Sequence, residues 1–212
     1  MRTDGHISIA RTRVRAGELS RHVARRFDHG RAYAVSSGIG LPRTWGLSTV
    51  VAIEGFERGL AGATGDPASR LRTAFSEARD ALADACDNLV ERLLPDATLV
   101  GMVIDDGHLH VMSVGAGRVY IQRGGRPQRL TAREEENGGL LRSRPSICST
   151  PVEPGDLVLA GSVTAFSMSS IARVVSVINS DPMTQASVLA KLLTDPAGKA
   201  GVGAAAVATR VR

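Results

Sequence analysis

The chain has 212 residues, of which 43% are apolar and 22% are charged, a composition that suits one globular domain with a full core. Its net charge is +5, but the arginines are scattered and only 3% of the residues are aromatic, which argues against a nucleic-acid groove. No apolar run approaches the roughly 20 residues needed to cross a bilayer, and the first residues lack a signal-peptide core, so we expect a cytoplasmic protein without a membrane or nucleic-acid partner.

The two cysteines, Cys86 and Cys148, have no spacing that is typical of a zinc or redox motif. Cys86 also falls on the apolar face of a predicted helix. We therefore expect two reduced structural thiols, and neither a disulfide framework nor a zinc knuckle.

The first third of the chain predicts two strands and a helix. Apolar and polar residues alternate over 6–14, a pattern typical of a strand with one solvated face. Residues 32–35 predict a short buried strand, and the small residues of the following string SSGIG predict a turn. Apolar residues over 45–60 share one helical face, which predicts a helix.

The clearest predicted element is a long amphipathic helix over residues 67–94. Asp66 is a suitable N-cap, Pro67 suits the first helical position, and apolar residues recur at steps of three and four. The helix should end before Pro95, because proline cannot continue it.

Short strands dominate the middle of the chain. An antiparallel meander is predicted from the strand patterns over residues 98–104, 109–114, 118–122 and 128–130. An irregular, exposed segment is predicted over 132–150. Within the string SVGAGRVYIQRGGRPQRLT, residues 113–131, the pair Gly124-Gly125 predicts the turn of a β-hairpin.

A last strand, two helices and a terminal strand complete the prediction. Residues 157–160 and 203–210 predict strands, and 163–178 and 184–193 predict helices. Because the strands do not alternate regularly with the helices, we expect an α+β domain with antiparallel sheet covered by helices.

Two sets of polar residues could support a different kind of chemistry. His108 and His110 point to one face of a strand and could seat zinc, but no third ligand is evident, so surface histidines are the preferred interpretation. Ser36, Ser37 and the SMSS string of residues 167–170 suggest nucleophiles. No histidine lies at a spacing that suggests a base, so turns and helix starts are preferred there.

Four strings in order resemble the PPM family, the metal-dependent type 2C serine/threonine protein phosphatases. TLVGMVIDDGHLHVMSVGAGRVYIQRGGRPQRLT resembles the central hairpins of the family, which contain the motif G-D-S-R. YAVSSGIG resembles V-x-D-G-M-G-G, VEPGDLVLAGSVTAF resembles the segment that contains S-D-G, and GVGAAAVATRV resembles the terminal D-N segment. The resemblance covers nearly the whole chain.

This resemblance implies a four-layer α-β-β-α sandwich, in which two antiparallel sheets are flanked by helix pairs. It also implies a single domain over 1–212, with the flap region of the family shortened to about 132–153. Members of the family hydrolyse phosphoesters with two metal ions, Mg²⁺ or Mn²⁺, held by aspartates at the sheet edge.

The sequence departs from the family at the aligned metal-binding positions. The degenerate positions that correspond to the four aspartate motifs are Ser37, Gly38, Ala116, Ser162 and Gly201. In the N-terminal motif R-x-x-N-E-D, Glu18 corresponds to the glutamate, but Leu19 follows it. Serine, glycine and alanine do not replace carboxylates as ligands of a dication, so we expect no metal and no catalytic residue of the family type.

An arginine is the remaining family feature. In the family an arginine shortly before the N-E-D segment contacts the substrate phosphate, and the resemblance places Arg13, or Arg15 in a shifted alignment, at that position.

The resemblance as a whole implies a bacterial-type scaffold from which the catalytic charge has been removed. We expect a pseudophosphatase that acts as a regulatory, protein-binding module, with a phosphoprotein or a component of a kinase pathway as its partner. The alternative is an active or weakly active metal-dependent phosphatase with a non-standard metal site. No oligomeric state is predicted.

Overall fold

Two antiparallel sheets packed face to face form the centre of the protein, and helices cover both outer faces. The computed structural model describes residues 3–15, 17–27, 31–87, 89, 93–124, 127–132 and 138–212. Within these ranges one sheet has six strands and the other has five. The arrangement confirms the α+β sandwich that the resemblance implies.

The six-stranded sheet, called sheet A, has the order β2-β1-β11-β10-β7-β8. Its strands are β1 (Thr3–Val14), β2 (Gly17–Leu19), β7 (Arg118–Gln122), β8 (Gln128–Arg129), β10 (Leu157–Gly161) and β11 (Val202–Val211). Sheet B has the order β3-β4-β5-β6-β9. Its strands are β3 (His22–Phe27), β4 (Ala32–Ile39), β5 (Asp96–Asp105), β6 (His108–Val114) and β9 (Ser146–Pro151).

The helices are α1 (Trp45–Gly62), α2 (Pro67–Asp87), α3 (Met168–Ser180) and α4 (Ala186–Lys199). The first pair packs on sheet B around Phe56 and Phe75, and the second pair packs on sheet A around Leu189 and Leu193. A third apolar layer lies between the two sheets. In the described part of the chain, no helix combines the length and apolar character needed to span a membrane.

The long predicted helix begins where expected but ends early. The Asp66 carboxylate accepts hydrogen bonds from the Ala68 and Ser69 amides at 3.0 Å, which confirms the N-cap. The helix ends at Asp87 rather than at residue 94, and the Leu89 amide closes a tight turn on the Cys86 carbonyl. Leu93 lies outside the helix and is about half exposed, so it does not extend the buried apolar face of α2.

Two strand predictions are wrong in ways that affect the site. The string SSGIG does not form a turn, because β4 continues through it to Ile39 and Gly38 packs flat against Trp45. Part of the segment predicted to be irregular is the edge strand β9, whose polar residues alternate between half-buried and exposed. Polar edge strands lack the apolar pattern by which buried strands are recognised.

The predicted meander is divided between the sheets. β5 and β6 belong to sheet B, whereas β7 and β8 form the predicted hairpin in sheet A, and the chain crosses at residues 115–117. Gly125 of the predicted hairpin turn lies outside the described residues. The predicted helix over 163–178 is a short 3-10 turn, Val163–Phe166, followed by α3.

Candidate functional site

One edge of the sandwich brings the predicted site positions together. Ser37 pairs with Thr98 on β5, and Gly115 packs on the Thr98 side chain with a positive φ of 76°. Ala116 follows at the crossing between the sheets. Together with Gly117 and Gly161, this part of the edge consists of residues with little or no side chain.

The opposite side of this edge is formed by sheet A. Ser162 follows β10, and its amide donates to the Ala205 carbonyl of β11 at 2.9 Å. Gly201 stands at the entry to β11, where its carbonyl accepts from the Arg13 amide at 2.7 Å. The structure therefore gathers the degenerate positions around one sheet edge, although they are distant in sequence.

The oxygen donors at this edge do not fit a two-metal centre. Gly38, Ala116 and Gly201 have no side-chain oxygen, and the Ser162 hydroxyl accepts from the Ala205 amide at 3.2 Å and pairs with Thr164 at 2.9 Å. Mg²⁺ and Mn²⁺ require several hard oxygen ligands, chiefly carboxylates. No group of three or more His, Cys, Asp or Glu side chains that could hold a metal occurs among the residues that the structure describes.

The buried carboxylate at the start of β5, Asp96, accepts hydrogen bonds from backbone amides. Asp96 is fully buried, and its Oδ1 accepts from the Ala97 and Leu141 amides at 2.7 and 3.2 Å. Burial raises the pKa of Asp96, and the Arg142 Nε lies 3.8 Å from its other oxygen. Asp96 thus anchors the segment before β9.

A buried histidine that the sequence analysis overlooked connects the two sheets at the site. His22, at the start of β3, is only 3% exposed. Its Nδ1 lies 2.9 Å from the Ser37 Oγ in sheet B, and its Nε2 lies 3.4 Å from the Val202 carbonyl oxygen in sheet A. The spacing of histidines along the sequence does not reveal this contact with Ser37, because strand pairing aligns residues that are far apart in sequence.

The hydrogen-bond partners of His22 fix its tautomer. A carbonyl oxygen only accepts, so Nε2 carries the proton and donates to Val202, and Nδ1 accepts from the Ser37 hydroxyl. Burial and the neighbouring charge of Arg21 lower the pKa of His22 to about 4. His22 is therefore neutral at pH 7, and it joins the sheets by neutral hydrogen bonds.

The Val202 carbonyl is the shared acceptor of this edge. The Thr12 hydroxyl of β1 also donates to it, at 2.9 Å. Thr12, His22 and Ser37 are all buried. A neutral network of two hydroxyls, an imidazole and a carbonyl thus lies between the sheets at this edge.

The predicted phosphate-binding arginines lie on the solvent side of the site. The Arg13 side chain covers Gly201, and its Nε lies 3.8 Å from Glu18 in an exposed ion pair. Arg15 lies in the turn after β1, is exposed and has a positive φ of 54°. Arg13 is thus beside the degenerate positions. The phosphate-binding role of both residues stays a prediction.

A second arginine flanks the edge on the helix side. The Arg21 guanidinium lies 4.7 Å from the Trp45 ring centre, and its Nε donates to the Gly38 carbonyl at 3.3 Å. A side chain at Gly38 would collide with Trp45, since a Cβ there would approach it to 2.8 Å. The packing against Trp45 therefore requires glycine at position 38, directly after Ser37.

The remaining polar groups have structural roles. Ser167 caps α3 by accepting from the Ser170 amide at 3.1 Å, as the helix-start interpretation predicts. The His108 and His110 rings lie 6.1 Å apart, and His108 is exposed while His110 is half-buried. Cys86 is a buried free thiol and Cys148 is a half-buried one.

Comparison with known proteins identifies the fold. No family model matches the sequence, and no curated protein matches it. Among solved structures, the serine/threonine phosphatase PstP/Ppp of Mycobacterium tuberculosis is 15% identical, with 99% of both chains covered and a TM-score of 0.81. The PPM phosphatase MsPP of Mycobacterium smegmatis, solved with cacodylate, is 18% identical, with 99% of this chain and 98% of that chain covered and a TM-score of 0.77.

A third similar structure contains metal. The catalytic domain of PstP, solved with two manganese ions, is 17% identical, with 98% of this chain and 97% of that chain covered and a TM-score of 0.80. At these identities the similarity concerns the fold. This chain has the fold of the PPM-type serine/threonine phosphatases.

Proposed function

We propose that this protein is a pseudophosphatase: a PPM-fold domain that does not hydrolyse phosphoesters and that regulates a pathway by binding another protein. The observation that supports this function is the donor set at the sheet edge, where glycine, alanine and hydrogen-bonded serine stand at the positions of the metal-binding aspartates. Without a dinuclear centre, the described residues of this edge supply no metal-bound water for attack on phosphorus.

The neutral network around His22 supports the same proposal. In a fold whose metal-binding edge collects several carboxylates, the loss of the metals would leave like charges that repel one another. Here hydroxyl, imidazole and carbonyl groups satisfy one another instead. The edge is thus stable without a cation.

The direct test is phosphate release from p-nitrophenyl phosphate and from a phosphopeptide, with Mn²⁺ or Mg²⁺ present. We expect release no faster than in buffer with the metal alone. The matched control is the variant S37D/A116D/S162D, which returns carboxylates to the edge. Metal-dependent turnover by the unmodified chain would contradict the proposal and favour the alternative, an active phosphatase with a non-standard metal site.

Partner recognition is tested separately with phosphopeptides. Arg13 lies beside the degenerate positions, and an exposed guanidinium can bind a phosphate in a bidentate manner. If the partner is a phosphoprotein, R13A should weaken phosphopeptide binding about tenfold or more, because charge-assisted hydrogen bonds contribute about 1.5–3 kcal/mol. R11A, on the same strand, is the matched control. Equal binding by the unmodified protein and R13A would exclude Arg13 as the contact.

A further inference from the structure

We propose that Ser37 is a nucleophile with His22 as its general base, and that it accepts a small acyl group from an activated carboxylic ester. This activity needs no metal and is independent of the protein-binding role proposed above. The two side chains are paired across β3 and β4, which fixes their backbones opposite each other.

Ser37, His22 and the Val202 carbonyl are arranged as a nucleophile, a general base and a group that orients the base. The Ser37 hydroxyl donates to His22 Nδ1 at 2.9 Å, within the range of a productive proton transfer. His22 Nε2 donates to the Val202 carbonyl at 3.4 Å, which keeps the free lone pair of the imidazole on Nδ1. The carbonyl occupies the place of the third group that orients the base in serine hydrolases.

The position of Ser37 limits the size of the substrate. Ser37 is 9% exposed, so only a small part of the residue is accessible to a substrate. The residues that follow in register, Thr98 and Gly115, and the adjoining Ala116 are small. Because so little of Ser37 is exposed, the proposal is restricted to a short acyl group such as acetyl.

The proposed acylation requires only the ester and the side chains of Ser37 and His22. The Ser37 Oγ attacks the ester carbonyl carbon while its proton moves to His22 Nδ1, and a tetrahedral intermediate forms. The bond from carbon to the leaving oxygen then breaks, and the proton on Nδ1 passes to that oxygen. The products are an acyl-serine and the alcohol. Attack by water, with His22 again as the base, would release the carboxylic acid.

The environment of His22 predicts the pH dependence of this reaction. Among the described residues, Arg21 is the charged group that affects His22, and the other groups facing it are the hydroxyls of Ser37 and Thr12 and the Val202 carbonyl. Because the pKa of His22 is about 4, the imidazole is a weak base that is already unprotonated at pH 5. The acylation rate should be level above pH 5 and fall below pH 4. Attack assisted by hydroxide would instead rise tenfold for each pH unit.

The test uses p-nitrophenyl acetate with the full chain. We expect a burst of p-nitrophenol and one acetyl group on Ser37, located by mass spectrometry of the intact protein and its peptides. S37A should abolish both signals, and S36A, which alters the neighbouring serine, should leave them unchanged. H22Q should slow acetylation roughly 100-fold, because glutamine can keep the hydrogen bonds but cannot take the proton.

Three results would overturn the proposal. They are an unmodified Ser37 in the wild-type chain, a burst of p-nitrophenol that survives S37A, and a rate that rises with pH throughout. If H22Q fails to fold, as judged by its thermal unfolding, S37A and the pH profile still decide the question. Binding to a protein partner is measured separately, so failure of this proposal leaves the pseudophosphatase proposal to its own assay.

Discussion

His22 determines how the site edge responds to acid. It is buried, neutral and bonded to both sheets, whereas in the unfolded chain its imidazole titrates near its ordinary pKa of 6.5. Between pH 6.5 and about 4 the unfolded state therefore binds more protons than the folded state. The stability that His22 contributes is complete above pH 6.5 and is lost as the pH falls toward 4.

We expect the free energy of unfolding to fall by up to about 3 kcal/mol over this window because of His22, since its pKa is 6.5 in the unfolded chain and about 4 in the folded one. Urea denaturation at several pH values between 7.5 and 4 measures it. Carboxylates also titrate here, so the control is H22Q, and the difference between the two slopes isolates the histidine. Equal slopes for the two proteins would show that His22 is not buried in its neutral form.

Residue chemistry also explains why the sequence revealed only part of the site. The degenerate positions follow from comparison of short strings, since the loss of an aspartate is visible in the sequence itself. The partnership of His22 and Ser37 is not visible, because 15 residues separate them and only the pairing of β3 with β4 brings them together. The sequence signal for this contact is a polar residue on each strand at a position where the side chain faces the interior.

At the scale of elements, α1 and α2 are held close by glycines. A Cβ at Gly55 would lie 2.7 Å from the Ala78 Cα, and a Cβ at Gly59 would lie 2.6 Å from the Ala74 Cα. These contacts involve the backbone of α2, which cannot move aside without separating the helices. The glycines therefore allow the helix pair to pack tightly on sheet B.

We expect G55A to destabilise the protein by about 1–3 kcal/mol, because the added methyl group overpacks the helix contact. G46A is the matched control on the same helix, where no atom lies within 4 Å of the added Cβ. It should stabilise the protein by up to about 1 kcal/mol through helix propensity. Thermal or urea unfolding of both variants measures the contrast, and a stabilising G55A would contradict the packing account.

Elements with a strong local signal could be predicted, and elements defined by their neighbours could not. The start of α2 follows from Asp66 and Pro67, and the pair β5 and β6 follows from the predicted strands over 98–104 and 109–114, which a turn with positive φ at Asp106 and Gly107 joins. The end of α2 depends on how far sheet B extends beneath it. The existence of β9 depends on β6, the strand with which it pairs. The crossing of the chain between the sheets at residues 115–117 likewise has no local signature.

At the scale of the whole molecule, the two sheets meet at the site edge through hydrogen bonds. Sheet A reaches this edge through Thr12 and Val202, and sheet B reaches it through His22 and Ser37. A fold and the activity of its site are separate properties of a domain, so the proposed loss of catalysis is compatible with the four-layer sandwich.

The most direct test of this account is calorimetric titration of the purified protein with Mn²⁺. We predict no stoichiometric binding at micromolar concentrations, because among the described residues no set of carboxylates gathers at the edge to hold a dication. The variant S37D/A116D/S162D, if folded, is the control for restored binding. Two Mn²⁺ ions bound per unmodified chain with micromolar affinity, and lost on mutation of residues at this edge, would contradict the central claim.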